Sequence, residues 1–222
     1  MITAEQEWNR AFSQVLPVAS LGIGFFSLAL TIMSRRSSSA LGQRVYYQDG
    51  QYLVSVRYPG QWHDLREFIT PDDPAVLAVY SQVGQDTWQL FDFVCREISY
   101  RHDTGEFWQL ARETLARQHA DCEDTSILLV SLLRNFIDAK VTLGDYQGYG
   151  HAWCELNGQI LETTYTQARP VPDPENYCPY VLFHDQEVIE LWTGALEGLF
   201  ALRRDEATKL NLMAEAIECI SL

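Results

Sequence analysis

The chain has 222 residues, 47% of them hydrophobic, which suits one main domain with a sizeable core plus appendages. Its formal charge of −14 comes with only two lysines, Lys140 and Lys209, so no basic run exists to neutralise phosphates, and a nucleic-acid partner is disfavoured. Cys95, Cys122, Cys154, Cys178 and Cys219 form an odd set without regular spacing, which points away from a disulfide scaffold and towards free thiols in a reducing compartment.

Val15 to Met33 carries no charge over 19 residues and is followed by Arg35 and Arg36. That length can span a bilayer, and the arginines would then leave the main domain on the cytoplasmic side. A long core or interface helix is the alternative. Residues 1–40 are therefore set apart as a hydrophobic segment and linker, ending in Ser37-Ser-Ser-Ala40, and residues 41–222 as the main domain with a helical C-terminal extension.

Val45 to Val56 alternates aromatic and polar residues around Asp49-Gly50, which predicts a hairpin. Helices are predicted from Asp73 to Val83 and from Asp86 to Tyr100; Trp88, Phe91, Cys95 and Ile98 form a stripe on the second. Cys122 opens a third helix, with Asp121 as its N-cap, Asp124 in a capping-box position and an apolar run from Ile127 to Leu133 too broad for a surface helix. Lys140 to Leu143 and Gly150 to Thr164 are strand-like, and Asn157-Gly158 divides the latter. Pro170, Pro172, Pro174 and Pro179 mark an extended loop, and Val188 to Leu202 and Asp205 to Cys219 read as amphipathic helices.

A thiol on the first turn of a helix meets free N–H groups and the positive end of the helix dipole, which favour the reactive thiolate. Asp121, Glu123 and Asp124 oppose that effect, so a cationic partner is needed. The hairpin supplies one. With Asn157-Gly158 as a two-residue turn, Leu156 faces Gln159 and Glu155 faces Ile160, and His151, Trp153 and Glu162 share one face while Cys154 takes the other. His151 and Glu162 are then diagonal neighbours, about 7 to 8 Å apart at the backbone, within reach of a side-chain contact. Cys122, His151 and Glu162 can act as nucleophile, general base and orienting acid.

Cys122 at a helix start, Gly150-His-Ala-Trp153 on a strand and Leu161-Glu-Thr-Thr164 on the next resemble the transglutaminase-like cysteine superfamily. Glu113-Thr-Leu115 and Asp121-Cys-Glu-Asp124 are similar to its prokaryotic branch. The resemblance covers about residues 86 to 165. It implies an α+β, papain-like fold in which the Cys122 helix packs on an antiparallel sheet bearing His151 and Glu162. It also implies cysteine-dependent acyl transfer on a protein or peptide, without a cofactor. Peptidase or amidase hydrolysis is expected over transfer to an amine, and no metal is expected. Ala120 stands where the family usually has Gly, and Glu162 where it often has Asp.

No side chain matches the family's oxyanion donor; the Cys122 N–H is the candidate, with Trp108 and Gln118 as substrate-side alternatives. Trp153 could line an acyl cleft or simply cover the sheet. Two other functions stay open. One is a catalytically silent binding or scaffold domain, associated with a membrane through residues 15–33. The other is a zinc-stabilised domain built on His119, Cys122, His151 and Cys154, which strand alternation disfavours because residues 151 and 154 point apart.

Overall fold

The structure is a computed structural model that describes residues 45–102, 107–200 and 202. The hydrophobic stretch 15–33, the linker after it and the helix expected over Asp205 to Cys219 lie outside the described residues. Among the described residues no helix is long and apolar enough to cross a membrane.

The chain begins with the expected hairpin. Strands β1 (Val45–Gln48) and β2 (Gln51–Val54) pair antiparallel, and β3 (His63–Asp64) adds to β2. Asp49 and Gly50 both have positive φ, 50° and 78°, the requirement of a tight turn that follows the twist of its strands. Helix α1 (Pro74–Val83) starts where Asp73 accepts from the Ala75 N–H at 2.9 Å, with Pro74 at its first position. Helix α2 (Thr87–Glu97) starts where Asp86 accepts from the Gln89 N–H, also at 2.9 Å.

The buried face of α2 is Leu90, Phe91, Val94 and Cys95. Trp88, expected on that stripe, is instead 42% exposed: it sits on the first turn and rests its ring on Phe91 from outside. Strand β4 (Ser99–Tyr100) pairs in parallel with β5 (His119–Ala120). Between them lies α3 (Ala111–Arg117), a helix without the usual capping residue: Glu113 reaches back to the Leu110 N–H at 2.8 Å, and Gln118 ends the helix in the left-handed region at φ 57°.

Helix α4 (Cys122–Leu133) is buried along its whole length and packs on α1, α2 and α3. Its Asp121 cap accepts from the Asp124 N–H. Its interior polar groups are bonded rather than exposed. Thr125 Oγ1 donates to the Asp121 carbonyl at 2.8 Å, and Ser131 Oγ accepts from the Thr70 N–H at 3.1 Å.

The second sheet, order β10-β9-β6-β7-β8, is antiparallel throughout and comprises β6 (Lys140–Tyr146), β7 (Tyr149–Leu156), β8 (Gln159–Leu161), β9 (Tyr177–Phe183) and β10 (Val188–Glu190). Helix α4 packs on β6 and β7. The β7–β8 register is the expected one: Leu156 opposite Gln159, Glu155 opposite Ile160, and Cys154 opposite Leu161. Strand β6 runs past Leu143 to Tyr146, because Gln147-Gly148 makes a second two-residue turn with both φ positive.

Two elements differ from expectation. Pro179 lies inside β9 rather than in a loop: the register slips between Leu143 and Gly144, so Gly144 faces Pro179 at a bulge, where a missing N–H is tolerated. Val188 to Leu202 is not one helix. Its first residues pair with the edge of β9, and a short helix, α5 (Ala195–Phe200), forms only after Gly194 turns the chain at φ 81°.

Gly144 has no room for a side chain. A Cβ there would overlap the Cys178 carbonyl oxygen and come to 2.6 Å from Trp153 Cη2. Gly144→Ala is expected to lower the unfolding free energy by about 1–3 kcal/mol. A urea midpoint shift at unchanged m-value measures it, and an unshifted midpoint would mean that β6 and β9 part without cost.

Candidate active site

Glu162 follows β8 and is fully buried, yet each carboxylate oxygen has two donors. Oε2 accepts from His151 Nε2 at 2.7 Å and from the Tyr177 hydroxyl at 2.9 Å; Oε1 accepts from the Thr164 N–H at 3.0 Å and the Thr164 hydroxyl at 2.7 Å. Burial alone would raise the Glu162 pKa. The charge on His151 and the hydrogen bonds from His151 and Thr164 outweigh it, and the carboxyl is held down to about 2. The diagonal contact expected from the hairpin is thus made.

The His151 ring lies among aromatics. Tyr146, Trp153 and Tyr177 have ring centroids 5.9, 6.0 and 6.0 Å from it, and all three are buried. The three rings pack against the imidazole at tilted angles of 57°, 37° and 50°. Trp153 therefore lies against the histidine and, edge to face at 5.2 Å, against Tyr177. Burial and the nearby Glu162 carboxylate push the Tyr177 phenol far above its ordinary pKa, so it remains a donor.

Cys122 is 1% exposed on the first turn of α4, and its Sγ donates to Glu123 Oε2 at 2.9 Å. The helix and the acid segment meet one residue beyond Glu162: Thr163 Oγ1 lies 2.8 Å from Thr125 Oγ1 and 3.3 Å from Ser126 Oγ. Cys95 Sγ on α2 adds a long contact, 3.9 Å, to the Glu162 carbonyl. The acids flanking the thiol point in different directions. Asp124 accepts from the Gln109 N–H at 2.6 Å and Gln109 Nε2 at 2.5 Å rather than serving as a capping-box partner.

Trp108 is 1% exposed in the core, edge-on to Phe68 at 5.3 Å, and its carbonyl receives Arg57 Nη1 at 2.6 Å. Gln118 is the exposed left-handed end of α3. Gln109, which no sequence pattern singles out, commits both Nε2 hydrogens, to Asp124 and to the His119 carbonyl at 3.3 Å. The Cys122 N–H remains the candidate oxyanion donor.

Of the residues considered for zinc, Cys154 is fully buried in the main core, where burial drives its thiol well above the ordinary value. Among the described residues, no group of three or more His, Cys, Asp and Glu side chains could hold a metal ion. A cavity of about 230 Å³ lies beside Arg57, His63, Glu67, Phe68 and Leu110, and none of Cys122, His151 and Glu162 lines it.

The family model described as the transglutaminase-like superfamily matches residues 79–160, the segment running from α1 through Cys122 and His151 to β8. That segment is a transglutaminase-like core. The α+β architecture expected with it is present, with the cysteine helix packed on an antiparallel sheet. No curated protein matches the sequence. Solved structures that match include Legionella pneumophila LapG in an EGTA-treated form, at 15% identity over 54% of this chain and 76% of that one, TM-score 0.45. Calcium-bound LapG matches at 15% identity over 57% of this chain and 86% of that one, TM-score 0.44.

The depressed Glu162 pKa makes stability depend on pH in a definite direction. Its stabilisation is present in full above the unfolded-state value near 4.5 and is lost as pH falls towards 2, because the unfolded chain takes up the proton first. Glu162→Gln should therefore be less stable than wild type at pH 7 and lose less stability between pH 5 and pH 2, by on the order of 3 kcal/mol. Urea unfolding at a series of pH values measures this; parallel wild-type and variant curves would show that Glu162 is not held ionised.

Proposed function

We propose that the transglutaminase-like core catalyses cysteine-dependent acyl transfer on amide bonds of a protein or peptide, with Cys122 as nucleophile, His151 as base and then acid, and Glu162 as orienter. The observation that carries this reading is the buried His151–Glu162 bond. It commits Nε2 to the carboxylate, and on this reading Nδ1 is the nitrogen that would exchange a proton with the thiol.

In the first step Cys122 Sγ attacks the amide carbonyl while His151 takes the thiol proton, which must first leave its bond to Glu123. The carbon–sulfur bond forms, the carbon–nitrogen bond breaks, and the amine departs with the proton from His151. The Cys122 N–H at the start of α4 faces the developing oxyanion. Water then attacks the thioester, giving up a proton to His151, and the thiol is restored. Hydrolysis, with water as the acyl acceptor, is favoured over amine transfer, as the sequence resemblance implies.

A second reading is a silent binding domain that keeps the fold. The burial of Cys122 at 1% exposure and His151 at 2% favours it, since a substrate carbonyl reaches the thiol only if the covering groups move.

p-Nitrophenyl acetate discriminates between the readings. An enzyme should release nitrophenol in a burst and carry one acetyl group on Cys122 by mass spectrometry. Cys122→Ala should show neither, and His151→Ala should slow acylation by roughly 10²–10⁴-fold. Acylation at the same rate in His151→Ala, or none in wild type, would favour the silent domain.

A further inference from the structure

We propose that Tyr177 is a positioning residue of this site: its hydroxyl, donated to Glu162 Oε2, keeps the proton of the His151–Glu162 bond on the imidazole. The inference rests on His151 acting as the base for Cys122 and adds a residue to that reading. Tyr177 lies outside residues 79–160, the part matched by the family model.

A fully buried carboxylate and imidazole can lower their desolvation cost by becoming a neutral pair, with the proton moved onto the acid. Donors to the carboxylate oppose that transfer. Thr164 fills Oε1 with two donors, whereas Oε2 receives His151 Nε2 at 2.7 Å and Tyr177 at 2.9 Å. On the oxygen that shares the proton with His151, the Tyr177 hydroxyl is the second donor. Removing it leaves that oxygen a stronger base towards the imidazole proton.

Tyr177 is well fixed for this task. Its ring packs on Tyr146 at 4.6 Å and edge-on to Trp153 at 5.2 Å. Its one hydroxyl proton is committed to Glu162. Other titratable groups close enough to interact with Glu162 include Cys95 on α2, Tyr146 on β6 and Tyr165 after β8. Among the described residues that bond the Glu162 carboxylate, Tyr177 alone comes from outside 149–164, so it ties the acid to β9.

The test uses the full chain with ¹⁵N-labelled histidine, following the His151 ring nitrogens and the Nε2 proton by NMR as pH is lowered. Tyr177→Phe keeps the ring and removes the hydroxyl. The pH at which acid breaks the His151–Glu162 bond should rise by one unit or more. A purely structural tyrosine would alter the melting temperature and leave that titration in place. An unmoved titration in folded Tyr177→Phe overturns the proposal; should that variant not fold, a wild-type His151 Nε2 that carries no directly bonded proton at pH 7 does so. Failure of the underlying reading looks different. Alkylation of Cys122 by iodoacetamide would then be indifferent to His151→Ala, while the NMR titration still decides the role of Tyr177.

Discussion

A carboxylate and an imidazole, both removed from water, face each other at 2.7 Å, and much of the surrounding structure serves to make that tolerable. Desolvation of such a pair costs several kcal/mol per ion before attraction offsets it, so every lone pair left unmet would count against the fold. The donors arrive from separated segments: Thr164 from the turn just after β8, Tyr177 from β9. The position of β9 depends in turn on Gly144, over which Trp153 closes, and on the bulge that lets Pro179 enter a sheet without a partner for its missing N–H. A substitution at Gly144 would therefore reach the acid through Trp153 and Tyr177, with no direct contact to it.

Helix α4 meets a related constraint from the other side. A helix buried on all faces gains stability from apolar packing but must satisfy its polar groups internally. Asp124 holds the 109 backbone, Ser131 holds the 70 backbone, and Thr125 and Ser126 reach Thr163 beside the acid. Arg57 fastens the periphery by a bidentate pair with Glu113, at 2.8 and 2.9 Å, and by its bond to the Trp108 carbonyl. The Cys122 helix and the Glu162 turn are thus linked through one threonine. Glu123, bonded to the thiol, opposes ionisation, whereas the imidazole partner would promote it.

Much of this was legible in the chain because it follows from local chemistry. Asn157-Gly158 dictates a two-residue turn, the turn dictates the register, and the register brings His151 to Glu162. The caps at Asp73, Asp86 and Asp121 follow from side chains that accept hydrogen bonds from nearby N–H groups. What stayed hidden depends on distant pairing. Tyr177 comes from a proline-rich stretch that reads as loop, and its role arises only once β9 joins β6. The helix α3 lacks a capping residue, and Val188–Glu190 becomes strand because an edge is available to it. Trp108, a substrate-side candidate in the sequence, is a buried aromatic packed edge-on against Phe68.

If the buried His151–Glu162 pair makes Cys122 a thiolate near neutral pH, the sulfur itself reports it. Thiolate absorbance in the far ultraviolet, taken as the difference between wild type and Cys122→Ser across pH, needs neither a substrate nor access to the sulfur. An ordinary cysteine ionises near pKa 8.5, so a difference signal already developed below about pH 7, and absent there in His151→Ala, is the predicted result. A signal that appears only above about pH 8, unchanged by His151→Ala, would contradict it.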